Sequence, residues 1–365
     1  MSALGKVVGS VSVAGGLIGA AALGGVTAQR RALRRYRLIA GDGDGSADSA
    51  FDALEADRSY SVAAADGVAL HVEEAGPADA PLTVVFSHGW TLRSGSWHFQ
   101  RLGLAGPDFG SGAESDAESG PGHAPPVRMV FYDQRSHGRS SKAEPGHATI
   151  DDLAADLAAV IATAAPSGPL VLVGHSMGGM ALLALAGRDP GFFADRVAGV
   201  ALLSTTASEV GHRDGRWLQI NGANPLLPVF AAAAARYPRM FERGRTAGRD
   251  AIWLLTRSLG FADPKVPAAL VDYLDQMISA TPMDVIAEFA PALFGHDETA
   301  AAPALTDIPA LIAVGDADRM TPPSRSRDIA DMLPRAELLV IQGAGHMAIM
   351  EAPEAVNDAL RRLLR

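Results

Sequence analysis

The sequence predicts an α/β fold, a doubly wound and mostly parallel sheet into which a helical cap is inserted. Three features of the 365 residues carry that expectation. Short, nearly continuous apolar runs recur, as strands covered on both faces require. Helical patterns separate several of these runs, as crossovers between parallel strands demand. From residue 206 to 302 the strand rhythm stops and only helical patterns remain.

The elements follow in order. "YSVAA" and "VALHVEEA" flank Asp66-Gly67 and read as an antiparallel hairpin at the sheet edge. "LTVVFSHG", "VRMVFYDQ", "LVLVGHS", "VAGVALLS", "ALIAVGD" and "AELLVIQG" supply the buried strands. In residues 150–161, apolar side chains recur at Ile150, Leu153, Leu157, Val160 and Ile161, the spacing of one helix face. Residues 60–205 and 303–365 thus form the core. "DAIWLLTRSL", "PAALVDYLDQMI" and "MDVIAEFAPALF" are helices of a cap spanning 206–302. Residues 103–126, rich in Gly, Pro, Ser and acids, read as a mobile surface insertion.

The first forty residues differ from the rest. "VVGSVSVAGGLIGAAALGGVTA", residues 7–28, is uncharged over about one bilayer's worth of helix and is followed by Arg30, Arg31, Arg34, Arg35 and Arg37. Residues 1–40 are therefore a candidate membrane anchor, with the basic flank and everything after it on the cytoplasmic side. The expected location is the cytoplasm or the cytoplasmic face of a membrane. Residues 41–59 read as an acidic linker.

Composition narrows the chemistry. A net charge of −10 offers no general basic face for phosphates, so no nucleic-acid partner is expected. The absence of cysteine removes thiolate nucleophiles and cysteine-ligated metal sites, and the ten histidines form no HExxH spacing. Neither a metal nor a cofactor is expected.

What remains is a serine. Gly174-His175-Ser176-Met177-Gly178 stands where one apolar run ends and a helical one begins. A turn that tight crowds its neighbours, so glycines flank the serine and its hydroxyl projects at a helix N-terminus, where free N–H groups favour negative charge. A serine hydroxyl needs a base to take its proton, and the base needs a partner to orient it. Later in the chain, one strand ends in "GDADRMTPP" with Asp316 and Asp318, and the next in "GAGHMAIMEAPEAVN" with His346. The expected set is Ser176 as nucleophile, His346 as general base and then acid, and Asp318 as orienting carboxylate, with Asp316 as runner-up. His175 is expected to point away from the serine as a packing or substrate-side residue, and His88 to fix its loop by hydrogen bonds. Asp133, Arg135 and His137 are expected to form a structural turn network. Of the cap residues Trp217, Phe230, Met240, Phe241, Trp253, Phe261, Tyr273, Met277, Phe289 and Phe294, most must be cap core.

Over residues 60–365 the chain resembles the α/β-hydrolase fold superfamily. The resemblance rests on "SHGW", "YDQRSHGRSS", "GHSMGG", "GDADRMTPP" and "GAGHMAIMEAPEAVN". It implies an oxyanion hole at the backbone N–H groups of Trp90 and Met177, and its G-x-x-D-x-x-x-P pattern, matched by Gly315, Asp318 and Pro322, favours Asp318 as the acid. Relatives read D-x-R-G-x-G-x-S where this chain has Ser136 after Arg135, which leaves that turn's shape open. The implied activity is cleavage of a carboxylic ester or thioester through an acyl-enzyme, and the apolar cap and candidate anchor favour lipophilic esters. A cofactor-free haloperoxidase or perhydrolase is the enzymatic alternative, and a hydrolase-fold binding protein without turnover is the third reading. Epoxide hydrolases and haloalkane dehalogenases use an aspartate nucleophile, so Ser176 weighs against both.

Overall fold

The computed structural model describes residues 51, 54–105, 126–208, 236–237, 244 and 248–365. Among these, eight strands build one sheet: β1 (Arg58–Ala63), β2 (Ala69–Ala75), β3 (Leu82–Ser87), β4 (Val127–Tyr132), β5 (Leu170–His175), β6 (Val197–Leu203), β7 (Ala310–Gly315) and β8 (Ala336–Ile341). Their order across the sheet is β1-β2-β4-β3-β5-β6-β7-β8. β2 runs antiparallel to β1 and β4, and the remaining neighbours are parallel. Every apolar run read as a strand is one.

Alternation along the strands splits the core in two. Val84 and Phe86 of β3 and Val171 and Val173 of β5 face one side, whereas Val85, Leu170 and Leu172 face the other. Helix α1 (His98–Ala105) covers the first face through Leu104, and α2 (Ile150–Ala164) covers the second through Leu153, Leu157 and Val160. α2 runs three residues past the predicted 161 and starts with a capping box, in which Thr149 and Asp152 each bond the other's backbone N–H. Between later strands stand α3 (Met177–Arg188), α4 (Pro190–Arg196), α5 (Arg249–Gly260), α6 (Ala268–Ala280), α7 (Met283–Gly295), α8 (Ala302–Leu305) and α9 (Pro323–Met332), and α10 (Ala348–Glu351) and α11 (Pro353–Leu363) follow β8.

Helices α5 to α7 stand between β6 and β7, within the predicted cap, and are fastened to the loops above the sheet. Tyr273 Oη donates to Gly95 O at 2.8 Å, Met347 N to Gly260 O at 2.8 Å, and Gly146 N to Glu288 Oε1 at 2.7 Å. Trp253, Phe261, Tyr273, Met277 and Phe289 are buried, and they pack into the two clusters that flank the sheet rather than into a separate cap core. Trp217, Phe230, Met240 and Phe241 lie outside the described residues.

Two boundaries differ from expectation. Residues 103–105 complete α1, so the predicted insertion begins later; its residues 106–125 lie outside the described set. The predicted linker, 41–59, overlaps ordered structure, because β1 begins at Arg58 and Phe51 stacks on Tyr273 at 4.8 Å between ring centroids. Composition alone missed the one aromatic in that acidic stretch. The candidate anchor 7–28 and its arginine flank also lie outside the described residues, among which no single helix is long and apolar enough to cross a membrane.

The loop after β4 is held by an internal ion pair. Arg135 makes two bonds of 2.7 Å to the Asp156 carboxylate and one of 2.9 Å to Asp66, and the side chains of Arg135 and Asp156 are 2% and 0% exposed. Removing one partner leaves a buried charge uncompensated. Asp156→Ala is expected to lower the free energy of unfolding by about 3–5 kcal/mol in a urea titration. A loss below about 1 kcal/mol, the scale of an exposed pair, would show that Asp66 suffices. Ser136 in the same loop takes φ 65°, the left-handed conformation for which glycine is suited, and its Oγ accepts from Ala143 N at 3.0 Å.

Candidate active site

Ser176 sits between the end of β5 and the start of α3 with φ 52° and ψ −118°, a strained conformation for a residue with a side chain. The surroundings hold it there. Ser176 N donates to Leu203 O at 3.0 Å, and its carbonyl accepts from Gly179 N at 2.9 Å and from Thr205 Oγ1 at 2.7 Å. A Cβ on Gly178 would collide with the Ser87 carbonyl, and one on Gly174 would stand 2.6 Å from Gly178 O. The flanking glycines are thus required by close approach of backbone.

His346 lies in the loop after β8 and Asp318 in the loop after β7, adjacent strands in the sheet. His346 Nδ1 is 2.9 Å from Asp318 Oδ2 and 3.2 Å from Oδ1, with the two residues 5% and 3% exposed. A carboxylate accepts, so Nδ1 carries the proton and Nε2 is the basic nitrogen. Among the described residues Nε2 makes no hydrogen bond. Burial pushes the Asp318 carboxyl up, but His346 and the bonds from Thr321 outweigh it and hold the group below the usual carboxylate range. Thr321 N and Thr321 Oγ1 each donate to it at 2.9 Å, and Met320 N donates as well at 2.8 Å. Since the folded state favours the ionised form, Asp318 contributes stability at neutral pH that is lost as acid protonates it.

Asp316 does something else. It is exposed, and its Oδ1 accepts from Gly343 N at 2.8 Å, stapling the turn after β8.

Trp90 and Met177, the two residues expected to supply an oxyanion hole, flank the serine. Met177 is the first residue of α3, and Trp90 follows Gly89, where a Cβ would stand 3.2 Å from Ser176 Cβ. Neither backbone N–H has a hydrogen-bond partner among the described residues. His88 fixes this loop. Its Nδ1 donates to Gly89 O at 2.8 Å and its Nε2 accepts from Gln134 N at 2.9 Å, while burial pushes the ring down to about 4, so it stays neutral. Asp133 braces the same loop by accepting from Ser94 N at 2.7 Å and from Arg139 N at 2.8 Å, and His137 Nδ1 donates to Arg135 O at 2.8 Å. These three residues of the turn are structural, in line with the sequence reading.

Two contributors escaped that reading. Thr321 stands three residues after Asp318, a spacing typical of side-chain to backbone turns, and could have been found. Thr205 carries no local signal, because its contact with Ser176 exists only through β5–β6 pairing. A cavity of about 320 Å³ lined by Glu73, Arg93, Arg101, Arg139 and Tyr273, among others, includes none of Ser176, Asp318 or His346. The chemistry is placed by the side chains rather than by that cavity.

A mostly parallel sheet with a serine on a strained turn after β5 and an acid–histidine pair in the loops after β7 and β8 defines a hydrolytic enzyme of the α/β class. The chain belongs to the alpha/beta hydrolase family, whose sequence model matches residues 84–359. It is 27% identical over 307 residues to a non-heme chloroperoxidase of Streptomyces lividans, covering 82% of this chain and 97% of that one. A bifunctional esterase/perhydrolase of Acinetobacter calcoaceticus is 35% identical over 139 residues, 38% of this chain and 42% of the relative. Among solved structures, a thermophilic esterase from Thermogutta terrifontis superposes with a TM-score of 0.64 at 27% identity, covering 84% of this chain and 98% of the other.

Proposed function

We propose that this protein is a serine hydrolase that cleaves carboxylic esters through an acyl-enzyme. The observation that carries the reading is the buried Asp318–His346 pair, with Nδ1 engaged at 2.9 Å and Nε2 unbonded among the described residues, in a loop tied at 3.1 Å to His175, the residue before the elbow serine. Ser176 Oγ attacks the ester carbonyl while His346 Nε2 takes its proton. The Trp90 and Met177 N–H groups receive the developing oxyanion, each contributing about 3 kcal/mol if it matches other such donors. His346 then protonates the departing alcohol, and Asp318 stabilises the imidazolium. Water, deprotonated by His346, attacks the acyl-serine and releases the acid. Trp90, half-buried, offers an apolar surface next to the elbow and favours an ester with an apolar part.

A second reading has its own support in the chloroperoxidase and esterase/perhydrolase relatives. Hydrogen peroxide replaces water in the second step, the acyl group leaves as a peracid, and the peracid oxidises halide in solution. Both readings share the acyl-enzyme. A panel of esters of graded acyl length, assayed with and without peroxide, separates them: ester cleavage alone supports the hydrolase, and added halogenation that depends on an acyl donor supports the perhydrolase. Failure to cleave any ester of the panel sinks both.

A further inference from the structure

We propose that His175 is a positioning residue that sets the reach of His346 toward Ser176, acting through one N–H donated to the backbone of residue 346. The proposal rests on the reading of Ser176 and His346 as nucleophile and base.

His175 closes β5 immediately before the serine, and its backbone is paired into the sheet opposite Leu203. Its Nε2 lies 3.1 Å from His346 O, a contact across 171 residues of chain. A carbonyl only accepts, so Nε2 carries the proton and Nδ1 is bare. Nδ1 is buried and, among the described residues, has no hydrogen-bond partner. The oxyanion loop shuts it in, because a Cβ on Gly89 would stand 2.8 Å from this nitrogen. Trp97 packs perpendicular to the ring, with centroids 6.3 Å apart and planes at 88°. The tautomer is therefore dictated from both ends of the ring.

The charge state is dictated too. A second proton on Nδ1 would create a buried cation with no acceptor facing it. Burial first, and the neighbouring His346 second, push the His175 ring down to about 3. The ring centres of His175 and His346 are 5.0 Å apart, so a charge on His175 would oppose the imidazolium that His346 must become during turnover. A neutral N–H donor holds the loop without that penalty. The result is a tie between the two halves of the machinery: the side chain leaves the strand that presents Ser176 and grips the backbone of the loop that presents His346. The loop is also held by Gly343 N to Asp316 Oδ1 at 2.8 Å, Ala317 N to Ala344 O at 3.1 Å, Met347 N to Gly260 O at 2.8 Å, Gly345 N to Glu351 Oε2 at 2.6 Å and the His346–Asp318 contact, none of which reaches the elbow.

Two substitutions separate a tether from mere filling of space. His175→Gln keeps an N–H at a similar distance along the side chain, and His175→Met keeps the bulk but no donor. With thermal unfolding followed in parallel, His175→Met is expected to lower kcat by about ten- to a hundredfold, the scale of a small misplacement of reacting groups. KM should stay within about threefold, and the acid-side fall of kcat/KM should move, since it reports the general base. His175→Gln should recover most of the loss. Equal losses in both variants, or wild-type kcat in His175→Met, overturn the proposal. A second arm needs no turnover: in Ser176→Ala protein, nitrogen NMR of residue 175 should show a neutral Nε2–H ring throughout roughly pH 5 to 9. A proton on Nδ1 overturns the tether, even where the kinetic variants fail to fold. An enzyme whose activity survives Ser176→Ala defeats the nucleophile reading instead and leaves the nitrogen signal to be judged alone.

Discussion

Replacing Ser176 by alanine should lower kcat for ester cleavage on the order of 10⁶-fold, since removing the nucleophile of a serine hydrolase costs about as much as removing its whole triad. KM should change little, because the hydroxyl acts on the reacting carbonyl rather than on the rest of the substrate. Labelling by a fluorophosphonate should disappear in the same variant. The protein should remain folded. The φ of 52° at position 176 is imposed by the Leu203, Gly179 and Thr205 contacts, and those that involve the backbone of residue 176 survive the change. A folded Ser176→Ala protein that keeps more than roughly one part in a hundred of the activity is far outside that range and would remove the serine from the mechanism. An unreactive wild-type serine in a folded protein would instead favour a binding protein on the hydrolase scaffold.

The second large effect separates two carboxylates two residues apart. Asp318→Asn is expected to lower kcat about 10⁴-fold, because an amide facing His346 Nδ1 can turn its NH₂ toward the ring and favour the wrong tautomer. The buried bonds from Met320 N, Thr321 N and Thr321 Oγ1 all converge on this carboxylate, so its charge is held in place for the imidazolium. Asp316→Asn should stay within about twofold of wild type, as a surface turn bond to Gly343 N has no path to the chemistry. The comparison uses one substrate at neutral pH, and a reversed ranking means that Asp316 is the acid.

Much of this arrangement could be read before any coordinates. The existence and extent of β3 and β5 follow from apolar runs bounded by turn residues, and the elbow glycines announce a turn in which backbone meets backbone. Asp318 was preferred over Asp316 through a spacing to Gly315 and Pro322, and the two residues indeed have opposite surroundings, one buried against His346 and the other exposed. The expectation for residues 41–59 fared less well. Acid-rich composition suggested a free tether, yet Phe51 packs on Tyr273 and Arg58 already belongs to β1.

Local pattern determined which residues form strands and helices, where the chain turns sharply, and which side-chain types stand at strand ends, because these depend on neighbours a few positions away. Tertiary structure alone decided that His175 grips the carbonyl of residue 346, that Thr205 holds the carbonyl of the serine, and that the Gly89 backbone seals one imidazole nitrogen. Such contacts join segments as much as 171 residues apart. Their distances are set by the packing of a whole sheet and its covering helices, which no short stretch of sequence encodes.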